Sequence, residues 1–282
     1  MSLVAGKMEK KVAMTVSRCE YKCSVDQLCI ELNSAFYVLR ERWNFSEARL
    51  LEIESSILNE TYRFSYPSLS TLSETRSAKH EPRVLWLGKS ADVPYFSRSS
   101  SEDSLVSIAL ARVISKRLQS CLYYSDSSFG LRGGVDDRSF YGSLLSWGPC
   151  EMAYRLDLSP CLCDLWHNDL LEELDPVVSC GSIMRLISYF LSLSVEGGAA
   201  SSCSSRKGLP LSGPLTQVLF NFYLCGLDVF AKAAFPDLLY IRNIHEAFIP
   251  LPRDYSKDTD AFFLGLPEFL ERRAGFKVRA YF

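Results

Sequence analysis

The chain has 282 residues, of which 48% are apolar and 23% are charged, and its formal net charge is -2. This length is enough to bury a full hydrophobic core in one or two domains. The near-neutral charge gives no overall attraction to nucleic acid. The sequence has no apolar run of about 18 residues, so no membrane span is predicted.

The N-terminal segment and the ten cysteines give no sign of secretion or of a zinc site. Lys7, Lys10 and Lys11 are not followed by a long apolar run, so we expect no secretory signal, and a short organelle-targeting segment stays open. Cys161 and Cys163 lack C-x-x-C spacing, as do the other cysteines. We therefore expect free thiols in a reducing compartment rather than structural zinc.

Periodicity and turn residues divide the chain into short elements without an internal repeat or a clear linker. Helical spacing predicts helices at 28–42, from 46 onward, at 105–118, 136–147, from 169 onward, at 183–193, 213–228 and 262–273. Strands are predicted at 84–87, 152–158, 238–242 and 247–251, with residues 243–246 at a hairpin bend and a strand-like tail at 276–282. Loops are predicted at 68–81, 97–101 and 127–134. Alternation along 152–158 places Arg155 and Asp157 on one face, opposite the apolar residues.

The stretch 207–228 joins a glycine- and proline-rich turn to a long apolar helix. Ser212 is the expected N-cap, and Pro214 fits just inside the helix start, where its missing donor costs little. Such a turn at a helix N-terminus can let a substrate approach the backbone closely. The alternative is a capped core helix with no ligand.

Four separated segments match, in order, the motifs of one enzyme family. Residues 127–134 (SSFGLRGG) resemble an S-x-G-F-R-P-G segment, and residues 155–171 (RLDLSPCLCDLWHNDLL) resemble a motif A. Residues 207–228 resemble a motif B ending in L-x-x-L-D, and residues 240–249 (YIRNIHEAFI) stand where a motif C, R-Y-A-D-D, is expected. The family is the reverse transcriptases encoded by group II introns. With flanking matches at 54–64 and 269–282, the resemblance covers about residues 45–282.

The resemblance implies an α+β fold with fingers and palm subdomains. Residues 1–44 are then an N-terminal extension, residues 45–150 fingers-like, and residues 151–282 palm-like, with an antiparallel palm sheet backed by helices. In the family a thumb follows the palm, and the sequence ends before one, so we expect no thumb.

The family's chemistry is phosphoryl transfer with two Mg²⁺ ions, held by one aspartate of motif A and two of motif C. Asp157 matches the motif A aspartate, whereas His245 and Glu246 replace the motif C pair. The His245 imidazole, in place of an aspartate, removes a negative charge and a hard oxygen ligand. The Glu246 side chain is one methylene longer than the aspartate that it replaces. If the site is active, Asp157 and Glu246 hold Mg²⁺; otherwise no cofactor is expected. The alternatives are a solvated strand-end carboxylate for Asp157 and an ordinary hairpin residue for His245.

The resemblance also implies positions that bind substrate, which are Gly208, Pro210, Ser212, Gly213, Arg132 and Lys89. Leu211 replaces the family's motif B glutamine, and Cys163 replaces the aromatic residue that lies under the incoming sugar. Lys89 is the best candidate to hold a triphosphate, with a solvated surface charge as the alternative.

Several losses in one pocket predict a reverse-transcriptase-like protein with impaired catalysis. Its expected role is that of an RNA-associated, maturase-like or scaffold protein in an organelle ribonucleoprotein, with RNA and protein partners and no membrane. The resemblance implies a location in mitochondria or chloroplasts. The alternatives are an active RNA-directed DNA polymerase with an atypical two-metal site, and a decaying gene whose product does little.

Overall fold

The computed structural model of the chain describes most of its length in separate stretches. The described residues are 25–65, 68–71, 85–90, 93–98, 100–120, 127–131, 137–148, 152–158, 161–193, 206–210, 213–244, 246–251 and 261–266. They form helices and two three-stranded antiparallel sheets, which is the expected α+β class.

The elements follow one another in short segments along the chain. The helices are α1 (Val25–Trp43), α2 (Glu47–Leu58), α3 (Ser101–Ser120), α4 (Asp137–Ser146), α5 (Cys161–Asp164), α6 (His167–Val178), α7 (Gly181–Leu191), α8 (Gly213–Ala234) and α9 (261–266). The strands are β1 (Ser68–Thr71), β2 (Leu85–Ser90), β3 (Val93–Arg98), β4 (Met152–Asp157), β5 (Ile241–Asn243) and β6 (Glu246–Leu251).

Most predicted helices are confirmed because their apolar residues do form buried stripes. At the start of α2 the Ser46 hydroxyl accepts a hydrogen bond from the Arg49 amide at 3.2 Å, as an N-cap does. The predicted loops at 68–81 and 97–101 are wrong in part, because β1 and the end of β3 pair there, Ser68 with Arg98 and Leu69 with Ser97. Residues 267–273 of the last predicted helix, and the tail at 276–282, lie outside the described residues.

The second sheet has the strand order β4-β6-β5 and carries the predicted hairpin. Along β4 the predicted faces are confirmed: Leu156 is buried, while Arg155 and Asp157 are exposed. The predicted bend at 243–246 is too long, since Asn243 and Glu246 pair with each other in the ladder. Directly after Asn243, Ile244 has a φ of 49°, in the left-handed region.

Helix α8 lies in the middle of the core and packs against α3. Its apolar residues are buried almost all round, including Phe220, Phe222 and Tyr223. This helix is long and apolar enough to cross a membrane, but 78% of its apolar stretch is buried inside the fold. A predominantly apolar, buried helix is also what the centre of a folded core requires.

A buried ion pair in the C-terminal part of α3 joins three helices. The Arg117 guanidinium donates from Nε and Nη2 to Glu31 Oε2 at 3.0 and 2.9 Å, and from Nη1 to the Val178 carbonyl oxygen. Arg117 is 2% exposed and Glu31 8% exposed. The pair therefore links α1 and α3 to the C-terminal end of α6, where a cation favourably meets unpaired carbonyls.

Candidate functional site

The predicted acidic positions of motifs A and C meet on one face of the second sheet. Asp157, the last residue of β4, lies directly opposite Glu246, the first residue of β6, and Glu246 in turn pairs with Asn243 of β5. Asp157 is exposed and Glu246 is partly exposed. The Cβ atoms of directly opposite residues in an antiparallel pair lie about 4.5–5.5 Å apart on the same face. His245, the other motif C position, lies outside the described residues.

Arg155 brings a positive charge to the same face, two residues before Asp157. Its Nη2 donates a hydrogen bond to Glu246 Oε1. This hydrogen bond and the charge of Glu246 raise the pKa of Arg155, and Asp157 adds to the effect. The cation that faces these carboxylates is therefore a side chain of the protein itself.

Among the described residues no group of three or more His, Cys, Asp or Glu side chains is placed to hold a metal ion. Two-metal phosphoryl transfer needs several oxygen ligands that bridge ions about 3.5–4 Å apart. Asp157 and Glu246 offer two carboxylates, and one of them is already bonded to Arg155. The described part of the site does not match a complete two-metal ligand set.

A second buried ion pair lies beneath this hairpin and was not predicted. Arg242 of β5 donates from Nε to Asp228 Oδ1 at 2.9 Å and from Nη2 to Asp228 Oδ2 at 2.6 Å, and both residues are 0% exposed. The Tyr240 hydroxyl donates to Asp228 Oδ1 at 2.8 Å. Burial lowers the pKa of Arg242, but the nearby Asp228 carboxylate more than reverses this, so the pKa is raised overall. The pair joins the end of motif B to motif C.

The same guanidinium also fixes the loop of the first motif. Arg242 Nη1 donates to Asn221 Oδ1 and to the Ile244 carbonyl oxygen, both at 2.7 Å, and Nη2 donates to the Ser128 hydroxyl at 3.1 Å. The Asn221 amide donates to the Gly130 carbonyl oxygen at 2.7 Å. A Cβ at Gly130 would lie 2.5 Å from the Ile244 backbone nitrogen, so a residue with a side chain does not fit there without a shift. Three motifs, far apart in sequence, thus meet at one buried cluster.

The turn before α8 is held by the end of motif A. The Gly208 and Leu209 amides donate to the Leu165 and Leu162 carbonyl oxygens at 2.8 and 2.7 Å. The His167 Nε2 donates to the Gly208 carbonyl oxygen at 2.6 Å. Burial lowers the pKa of His167, and the hydrogen bond to Gly208 opposes this.

The first residues of α8 are anchored in two places. The Thr216 hydroxyl donates to the carbonyl oxygen of buried Pro210, and the Leu215 amide donates to the Ser107 hydroxyl of α3 at 3.4 Å. Gly213 has a φ of +83°, and a Cβ there would lie 3.0 Å from the Ser107 hydroxyl oxygen. The positive φ favours glycine at this position, and a larger residue would also require the Ser107 hydroxyl to shift.

Exposed aromatic and basic side chains flank this turn. Trp166, 38% exposed, pairs in a β-bridge with Lys207, whose Nζ lies 3.9 Å from the centroid of the indole ring. Arg206 beside it is exposed. An indole face with nearby cations can stack a nucleobase and attract a phosphate.

The structure thus brings some predicted site residues together and leaves others apart. Asp157 meets Glu246, while Gly208 and Pro210 lie shortly before α8 and Gly213 is its first residue. Lys89 lies in the other sheet, opposite Pro94, and Ser212 and Arg132 lie outside the described residues.

Three residues of the buried cluster were missed by sequence reasoning, namely Asn221, Asp228 and Arg242. The available signal was the presence of polar and charged side chains within an otherwise apolar helix and strand, since such groups are buried only when paired.

Comparison with known proteins finds likenesses among solved structures. No protein-family model matches the sequence, and no curated protein matches it. The chain is similar to a chain of a solved structure described as "Partial Cas6-RT-Cas1--Cas2 complex", with 14% sequence identity and a TM-score of 0.47. The match covers 90% of this chain and 44% of that chain, so this chain spans less than half of its length. A likeness at this level assigns no family.

Proposed function

We propose that the chain is a reverse-transcriptase-like protein with impaired catalysis, which acts as an RNA-associated, maturase-like or scaffold subunit of a ribonucleoprotein. The observation that carries this proposal is the face formed by β4 and β6. The acidic positions of motifs A and C are cross-strand partners there, as polymerase chemistry requires. Arg155 is nevertheless bonded to one of these two acids.

The order of the motifs supports the family part of the proposal. On this proposal α8 is motif B and the hairpin of β5 and β6 is motif C. The two motifs are joined by a buried ion pair between Asp228, the final aspartate of motif B, and Arg242, the arginine of motif C. On this reading the second sheet with its covering helices is the palm, and the first sheet belongs to the fingers. Such a buried cluster maintains the fold without taking part in the chemistry.

The ligand set supports the proposed loss of catalysis. A hard Mg²⁺ ion is bound through carboxylate oxygens, and a histidine at position 245 is a poor substitute. Mg²⁺ is thus the cofactor only of an active form, where Asp157 and Glu246 would hold it and it would stabilise the charge that develops on the transferred phosphoryl group.

RNA association is supported by Trp166, Lys207 and Arg206 beside the motif B turn, which combine an exposed ring with two cations. A net charge of -2 is low for an independent RNA binder, because neutralisation of phosphates dominates such affinity. The same charge suits a subunit that holds RNA together with protein partners. An organelle, the mitochondrion or the chloroplast, is the proposed location, which fractionation of cells tests.

The test combines primer extension with RNA binding on the purified chain. We expect no incorporation on an RNA template with Mg²⁺ or Mn²⁺, together with RNA binding that weakens several-fold when Trp166→Ala and Lys207→Gln are combined. Arg185→Gln, which removes an exposed cation elsewhere, serves as the control. Incorporation that disappears in Asp157→Asn would overturn the proposal.

That last outcome would establish the second candidate, an active RNA-directed DNA polymerase with an atypical site. The direct pairing of Asp157 with Glu246 is the observation in its favour, since it sets two carboxylates side by side. Absence of both incorporation and RNA binding would overturn both candidates.

A further inference from the structure

We infer that Arg155 is a resident cation of the acidic face, which keeps divalent metal ions away from Asp157 and Glu246 in the protein as it exists. The inference rests on the proposed function, because it takes these two acids as the positions of the family's catalytic carboxylates. It goes beyond that function in assigning the loss of metal binding to one residue outside the motif's acidic positions.

The position of Arg155 follows from strand geometry. Side chains two residues apart on a strand share a face, so Arg155 and Asp157 project to the same side of β4. Glu246 lies opposite Asp157 and is therefore the diagonal neighbour of Arg155 across the strands, within reach of a long side chain. The hydrogen bond from Arg155 Nη2 to Glu246 Oε1 uses this geometry.

The electrostatic consequence concerns any metal ion that approaches the pair. A guanidinium bound to Glu246 cancels one of the two negative charges and takes up an oxygen that a metal would need. It also repels a divalent ion from a distance of only a few ångströms. In a solvent-exposed setting a repulsion of this kind weakens binding by about tenfold.

The location of Arg155 makes the role testable without loss of the fold. Its side chain is 64% exposed, and an exposed ion pair contributes little to stability. Arg185 offers a matched control, because its side chain is 67% exposed and pairs with Glu60 in the same way, away from β4 and β6.

The experiment titrates Mn²⁺ into the full chain at low ionic strength and follows the free ion by electron paramagnetic resonance. We expect Arg155→Gln to bind Mn²⁺ about tenfold or more tightly than the wild type, Arg155→Lys to stay close to the wild type, and Arg185→Gln to show no gain. The gain should disappear when Arg155→Gln is combined with Asp157→Asn or with Glu246→Gln. Circular dichroism checks that each variant is folded.

Equal Mn²⁺ affinity of the wild type and Arg155→Gln would overturn the inference, as would an equal gain in Arg185→Gln, which would reflect net charge alone. These outcomes concern metal binding only. The proposed function is judged separately by primer extension and RNA binding, so the two ideas can fail independently.

Discussion

The buried guanidinium of Arg242 has the largest number of polar partners described in this chain, and each partner comes from a motif. A buried charge is tolerated only when it is paired and its donors are satisfied. Here Asp228 supplies the counter-charge, and Asn221, Ser128 and the Ile244 carbonyl oxygen accept further hydrogen bonds. The residue therefore fixes the relative positions of α8, β5 and the 127–131 loop.

Arg242→Met should lower the free energy of unfolding by about 3–5 kcal/mol, because it leaves the Asp228 carboxylate buried without its partner. Urea denaturation followed by circular dichroism measures this change. The exposed Arg185→Gln should cost about 1 kcal/mol or less. Combining Arg242→Met with Asp228→Leu should recover part of the loss, since it removes both charges. A cost below about 1 kcal/mol for Arg242→Met would contradict this account.

The pKa of His167 predicts how stability changes with pH. Burial lowers this pKa below the value in the unfolded chain, so the unfolded state binds the proton more tightly. The contribution of His167 is present above a pH of about 6.5 and is lost as the pH falls through the folded-state pKa, by at most about 1.4 kcal/mol per pH unit. His167→Gln should flatten the dependence of the urea midpoint on pH between pH 7 and pH 5, a window that begins just above the unfolded-state pKa of about 6.5. Identical pH profiles for the two proteins would rule this out.

Among the elements, the helices were the most predictable and the strand pairing the least. The apolar spacing of α3, α7 and α8 is local information that a sequence carries by itself. β1 and the end of β3 lie in stretches that were predicted to be loops from their serine content, and pairing across the sheet supplies the stabilisation that their local strand propensity lacks. The hairpin was predicted, but its register was not, because the register depends on which residues pair across the two strands.

The start of α8 gives an element-scale prediction through Gly213. Gly213→Ala should cost about 1–2 kcal/mol, because alanine is strained at a φ of +83° and its Cβ crowds the Ser107 hydroxyl. The matched control is Gly142→Ala in α4, where a Cβ meets nothing within 4 Å. That change should stabilise the protein by about 0.5–1 kcal/mol, as alanine is the better helix former. Urea midpoints that move in the same direction for both variants would refute the assignment.

In the candidate site, too, the features that depend on local sequence were predicted, and the contacts between distant segments were not. Asp157 and Glu246 were predicted from motif order, and the structure pairs them. The bond from Arg155 to Glu246 was not predicted, because it depends on the register of strands 91 residues apart. Arg242 was overlooked for the same reason, because its structural role depends on hydrogen-bond partners from three separate segments.

At the scale of the whole molecule, one hydrophobic core extends across the division predicted at residue 150. Residues before it, such as Phe36 and Leu110, belong to the same buried cluster as Leu186 and Phe222 after it. The predicted fingers-like and palm-like subdomains remain a prediction. Their shared core nevertheless has a consequence for unfolding.

The described core should unfold in a single cooperative transition, because separating either half would expose apolar surface of the other. Circular dichroism at 222 nm and tryptophan fluorescence should therefore give coincident urea curves. Arg117→Met, which breaks the buried pair linking α1 and α3 to α6, should shift both curves together by about 3–5 kcal/mol. An effect confined to one probe, or two separate transitions in the wild type, would mean that the halves are energetically independent. Such a result would favour the two-subdomain division, because a buried charge pair at α1 could not then influence the sheet that carries Asp157 and Glu246.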